Sequence, residues 1–138
     1  MQKKPFATKE QLEAIAAQFP TPFHLYDEAG IRRNMEAMRD AFSWNPGFRE
    51  YFAVKATPNP FLINILREYG CDCATGVELM LADACGAHGH DLMFSSNETP
   101  AADYGLADEL GAIINLDDIT HIDFLEQTIG HIPETISC

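Results

Sequence analysis

Tyr51-Phe52-Ala53-Val54-Lys55-Ala56-Thr57-Pro58-Asn59-Pro60 is the stretch from which the rest of the chain is best read. Four apolar or aromatic residues in a row read as a strand buried on both faces, and the Thr57-Pro58-Asn59-Pro60 run then turns the backbone. Lys55 closes that strand, where a core meets a turn. Desolvation at such a place disfavours an ammonium, and a neutral lysine amine attacks carbonyl groups to form a Schiff base. The plain alternative is a strand-end lysine whose stem follows the apolar surface while its charge reaches water.

Downstream of this stretch a strand of about five residues and a helix of about a dozen alternate to the end of the chain. The expected strands are 50–55, 71–75, 91–95 and 112–116, with a fifth beginning near Glu134. The helices between them are expected to stop at Gly70, Gly86, Gly111 and Gly130, residues suited to the left-handed conformation after a helix. Thr99-Pro100, with the proline at the first helical position, and Asp117-Asp118 supply start signals for two of them. Such alternation demands an α/β fold with a parallel sheet, either open and doubly wound or closing into a barrel. No glycine-rich phosphate loop follows the first strand. In a barrel, functional groups gather at the C-terminal strand ends, which here present Lys55, then Thr75 and Gly76, then Ser95, Ser96 and Asn97, then Asn115. A complete eight-stranded barrel takes about 250 residues, so this repeat makes roughly half of one.

Upstream, Thr8 with Gln11 three residues on signals a helix start, and Leu12, Ile15, Ala16 and Phe19 form its stripe before Pro20. Thr21 to Asp27 reads as a short strand. Ile31, Met35, Met38 and Phe42 then mark an amphipathic helix whose Met and Phe stripe is expected to pack into a core, and Asn45-Pro46-Gly47 ends it.

The chain has 138 residues, of which 46% are hydrophobic, enough for one domain with a core. It has no apolar run of membrane-spanning length. Its start, Met1-Gln2-Lys3-Lys4-Pro5, is polar, unlike a signal peptide, so a cytoplasmic protein is expected. A net charge of -12 with no dense basic run argues against nucleic acid as a partner. The 4 cysteines match no zinc or disulfide framework, and Cys71 and Cys73 read as buried thiols. His88 and His90 lie in a polar loop without converging ligands, so no metal is expected.

In this setting YFAVKATPNP (51–60), followed by CDCATGVEL (71–79), resembles the fold type III PLP-dependent decarboxylases that act on diaminopimelate, ornithine and arginine. TPFHLYD (21–27) and FSSN (94–97) fall in the family's order, and the overall form is most similar to its diaminopimelate branch. The resemblance implies the N-terminal part of a PLP-binding (β/α)8 barrel, cut after about four strands. It implies that Lys55 carries pyridoxal 5'-phosphate as a Schiff base, and that Asp72 and Glu78 belong to the cofactor pocket. Ala53, two residues before Lys55 on the same strand face, would leave room for the pyridine ring. Residues 1–28 would form an N-terminal helix and strand, the strand packing with a C-terminal β-domain, and residues 29–138 the first half of the barrel.

The implied function is decarboxylation of meso-diaminopimelate to L-lysine, with a small amino-acid substrate and a homodimer when full length. The family's later arginine strand, stacking histidine, glycine-rich phosphate loop and pyridine-binding glutamate are not in these residues, so little or no activity is expected of the chain by itself. Many relatives also have a lysine soon after FSSN, where this chain has Glu98, Thr99 and Pro100. The competing readings are an ornithine or arginine decarboxylase, and a non-catalytic fragment that binds a partner through its open sheet edge.

Overall fold

The computed structural model describes residues 4–138; the Met1-Gln2-Lys3 part of the expected polar start lies outside the described residues. The chain divides after Ala41 into two compact units.

The first unit holds two helices, α1 (Lys9–Gln18) and α2 (Glu28–Ala41). α1 starts on the expected capping box: Thr8 Oγ1 accepts the Gln11 N–H at 3.3 Å, and Gln11 Oε1 accepts the Thr8 N–H at 2.8 Å. Neither helix contains a buried residue. The α2 stripe therefore does not form the expected core: Met38 is 42% exposed, and Ile31, Met35 and Phe42 are only half-buried. Two helices offer too little surface to enclose an apolar stripe between them. The short strand expected at Thr21 to Asp27 is also absent, because this extended segment has no ladder partner.

The second unit is a five-stranded, all-parallel sheet whose spatial order equals its chain order. Its strands are β1 (Phe52–Ala53), β2 (Cys71–Cys73), β3 (Leu92–Ser95), β4 (Ile113–Asn115) and β5 (Ile136–Ser137). The four gaps between them are crossed by α3 (Pro60–Leu66), α4 (Gly76–Ala84), α5 (Ala101–Glu109) and α6 (Thr120–Ile129). A doubly wound sheet reverses its strand order at a switch point, whereas a barrel adds each strand beside the last. The sequential order is that of a barrel arc.

Alternation along the strands separates two faces. Cys71, Cys73, Leu92, Phe94 and Ile114 are buried in one cluster with Leu79 and Ala82 of α4, Tyr104 and Ala107 of α5 and Leu125 of α6. Phe94 meets the Tyr104 ring edge-on, with centroids 6.1 Å apart. Burial pushes the Cys71 thiol up to about 11 and raises Cys73 as well. On the opposite face Ala53, Asp72, Met93, Ser95, Ile113, Asn115 and Ser137 are only half-buried. The expectation of a first strand buried on both faces is corrected accordingly: of its residues only Val54 is buried.

The glycines at 70, 86, 111 and 130 all have positive φ. At Gly70 (φ 108°) a Cβ would also stand 2.6 Å from Tyr51 Cδ1, so both backbone and packing require glycine. Pro100 sits one residue earlier than expected, as the cap preceding α5. At the entrance to the sheet Arg49 donates to the His90 carbonyl and, at 2.7 Å, to Asp91 Oδ1, while the Tyr51 hydroxyl donates to the same carbonyl at 2.8 Å. These bonds join the starts of β1 and β3 across β2. No helix among the described residues is long and apolar enough to cross a membrane.

Candidate functional site

The C-terminal rim of the sheet is where the polar residues of successive strands meet. β1 stops at Ala53, two residues earlier than expected, and Val54–Ala56 form a single 3-10 turn. The turn is closed by the Thr57 N–H donating to the Val54 carbonyl at 3.1 Å. Immediately beyond it Asn59 caps α3, its Oδ1 accepting the Phe61 N–H at 3.0 Å, with Pro60 in the first turn. Lys55 is thus held on a short turn anchored by buried Val54 on one side and a capped helix on the other.

Its side chain is exposed, and among the described residues it takes part in no ion pair. Of the two readings of Lys55, this exposure agrees with the one in which its charge reaches water: the turn lifts Lys55 out of the core instead of ending a strand within it. The same turn breaks the two-residue alternation that would have set Ala53 and Lys55 on one strand face.

Register brings the next residues together. Ala53 pairs with Asp72, Asp72 with Met93 and Met93 with Ile113, so these four form one row across the half-buried face. One step nearer the rim, Ser95 pairs with Asn115 and Asn115 with Ser137. Ser95 lies two residues past Met93 and so shares the face of Asp72. The Ser95 hydroxyl donates to Asp72 Oδ1 at 2.5 Å, linking β2 to β3.

Beside this pair, the start of α4 is occupied by carboxylates. Thr75 Oγ1 accepts the Glu78 N–H at 3.3 Å, and Glu78 Oε2 accepts the Ala74 N–H at 2.8 Å. The Gly76 N–H donates to Asp103 Oδ2 of α5 at 2.9 Å. A Cβ on Gly76 would stand 2.5 Å from Asp103 Oδ1, so this approach depends on glycine. Glu78 therefore has a structural task in capping, with one carboxylate oxygen engaged on backbone.

Of the residues singled out by sequence, the fold pairs Ala53 with Asp72 and brings Glu78 back to the end of the Asp72 strand. Sequence reasoning placed Ser95 on the rim without linking it to Asp72, and it missed Asp103. An acid in the first turn of a helix reads locally as a dipole partner, and nothing in its own neighbourhood points 27 residues back to Gly76. His88 contacts Asp83, Nδ1 to Oδ1 at 2.9 Å, and among the described residues no group of three or more His, Cys, Asp or Glu is placed to hold a metal.

The family described as "Pyridoxal-dependent decarboxylase, pyridoxal binding domain" matches residues 28–136. Protein TabA of Pseudomonas amygdali pv. tabaci is 40% identical over 128 residues, 91% of this chain and 29% of TabA. The probable diaminopimelate decarboxylase, chloroplastic, of Oryza sativa subsp. japonica is 37% identical over 109 residues, 76% of this chain and 22% of that protein. Lysine decarboxylase from Selenomonas ruminantium superposes with a TM-score of 0.80 at 21% identity, covering 92% of this chain and 33% of the other. That identity speaks for the fold alone. The chain spans 29% and 22% of the two curated relatives. With a match over residues 28–136 and a barrel arc carrying one lysine on its C-terminal rim, the chain belongs to the pyridoxal-binding domain family of pyridoxal-dependent decarboxylases.

Proposed function

We propose that this chain supplies the cofactor-anchoring part of a decarboxylase acting on meso-diaminopimelate to give L-lysine, with Lys55 as the amine that holds pyridoxal 5'-phosphate. The observation that carries the proposal is the exposed Lys55 amine on a turn at the C-terminal rim, one strand from Asp72 on the open face. Lys55 is also the only lysine after Lys9.

The residues present fit the aldehyde end of the cofactor. They offer a primary amine free of ion pairs among the described residues, a small side chain at Ala53, and a half-buried face bearing a carboxylate and hydroxyls. At the start of α4 the Ala74 and Gly76 N–H groups are already taken by Glu78 and Asp103, so this proposal does not place the phosphate there. Ala53, Lys55, Asp72 and Glu78 are the residues proposed to contact the cofactor.

When bound, pyridoxal phosphate accepts the electron pair left on the α-carbon as the carboxylate departs as carbon dioxide. The chain's own groups have narrower tasks. Lys55 fixes the position of the reacting end through a turn pinned at both sides. A carboxylate stabilises a protonated nitrogen near it, and Asp72 is the acid of the open face able to hold a proton at the Lys55 nitrogen. Glu78 and Asp103 fix the start of α4 beside the Asp72 strand. The same proposal includes a homodimer in the cytoplasm and residues 21–27 docking on a separate β-domain.

The rice relative's name supports diaminopimelate as substrate. The test is protection of Lys55 from borohydride trapping in the PLP-treated chain. The proposal expects meso-diaminopimelate to protect at lower concentration than ornithine or arginine. The reverse order would assign the chain to decarboxylation of those amino acids. Protection by none of the three would leave a partner-binding chain.

A further inference from the structure

We propose that Ser95 is a positioning residue, whose hydroxyl fixes the orientation of the Asp72 carboxylate toward the cofactor-bearing nitrogen of Lys55; this rests on the assignment of Lys55 as the anchoring amine.

Asp72 sits in the middle of the three-residue strand β2, half-buried on the open face of the sheet. A carboxylate on that half-buried face has two rotatable bonds, so the strand alone does not fix where its oxygens point. The bond from Ser95 Oγ to Oδ1 supplies the constraint, and it comes from the neighbouring strand, 23 residues away in sequence. Ser95 is itself well held. It ends β3, the central strand of the sheet, and its backbone pairs with Asn115 of β4. The next residue, Ser96, is buried, and its carbonyl accepts the Thr99 hydroxyl at 3.1 Å. A serine in such a frame is a fixed donor, not a mobile one.

With Oδ1 committed to Ser95, Oδ2 is the oxygen left for a proton-bearing neighbour. Asp72 lies across from Ala53, two residues before Lys55, and so borders the turn that carries the amine. Orientation matters because the stabilisation of a protonated nitrogen by a carboxylate falls with distance and with loss of hydrogen-bond alignment. A serine that served only to satisfy a sheet hydroxyl would have no effect on that nitrogen.

The experiment is a pH titration of the visible absorbance of the PLP-treated 138-residue chain, in the wild type, Ser95→Ala, Ser95→Thr, Asp72→Asn and the Ser95→Ala/Asp72→Asn double variant. The expected result is a midpoint lowered by about one pH unit in Asp72→Asn, a smaller shift of the same sign in Ser95→Ala, and recovery in Ser95→Thr, which keeps the hydroxyl. In the double variant the midpoint should equal that of Asp72→Asn, because Ser95 acts only through Asp72. A wild-type midpoint in Ser95→Ala, or additive shifts in the double variant, would overturn the proposal. Absence of a Lys55-dependent band in the wild type would instead overturn the assignment of Lys55, and the proposal with it. Denaturation curves of each variant, run alongside, separate a midpoint change from loss of fold.

Discussion

At the N-terminal end of the sheet, charged and polar side chains are spent on holding strands together. Arg49 and Tyr51 both donate to the His90 carbonyl, and Arg49 also pairs with Asp91. At the C-terminal end a cation of the same sign, Lys55, is exposed and in no ion pair among the described residues, while Asp72 is oriented by a hydroxyl instead of neutralised by a base. Both ends carry an Arg or Lys, an acid and a hydroxyl, yet one arrangement staples the arc and the other leaves an amine available. Topology makes the difference: βα connections leave the C-terminal rim and bring groups from several strands into one place, whereas the opposite end must lock the entering strands.

If the N-terminal end is the structural one, damage there should cost stability and nothing else. Gly70→Ala puts a side chain at φ 108° and a Cβ within 2.6 Å of the Tyr51 ring, and it should cost about 2 kcal/mol in urea unfolding. An unchanged midpoint would mean that the entrance of β2 is not under this constraint. Arg49→Gln should have a smaller effect, about 1 kcal/mol, since the Asp91 pair is half-exposed, and the loss should shrink as salt is raised. Either substitution altering the pH midpoint of the PLP-treated chain in its folded state would blur the distinction between the two ends.

The weakest perturbation is chemical labelling. In the folded chain at mildly alkaline pH, an alkylating reagent should modify Cys138 quickly and spare Cys71, Cys73 and Cys85, because those three are buried and the last is exposed. Burial holds Cys71 at about 11, so it stays a thiol under these conditions. Rapid labelling of Cys71 or Cys73 would show that the helix-covered face opens, and that the sheet is less firmly packed than its contacts imply.

Much of this arrangement is legible in the chain itself. The first four strands fall where strand-like runs precede helix signals, four of the five glycines with positive φ lie where the helices stop, and Thr8 with Gln11 closes its capping box, because these are local devices. What local pattern cannot carry is whether a partner exists. Thr21 to Asp27 has the composition of a strand and no ladder, and the Met38 stripe has the period of a core helix without burial. The course of β1 departs from its local pattern for a related reason. An apolar run continues through Val54, but the backbone must already turn so that Asn59 and Pro60 can start α3, and the 3-10 turn takes Lys55 with it. The Ser95 bond to Asp72 and the Asp103 bond to Gly76 depend on register between distant segments, which no window of sequence contains.

Lys55 is the proposed cofactor amine, and the site at which PLP attaches tests that assignment. The chain has only three other lysines, Lys3, Lys4 and Lys9, all upstream of the sheet, and they serve as internal controls. After incubation with substoichiometric PLP, borohydride reduction and peptide mapping, the adduct should be concentrated on Lys55 and lost in Lys55→Met without loss of fold. Adduct spread over Lys3, Lys4 and Lys9 as much as over Lys55 would contradict it, and would leave Lys55 as a strand-end lysine that reaches into water.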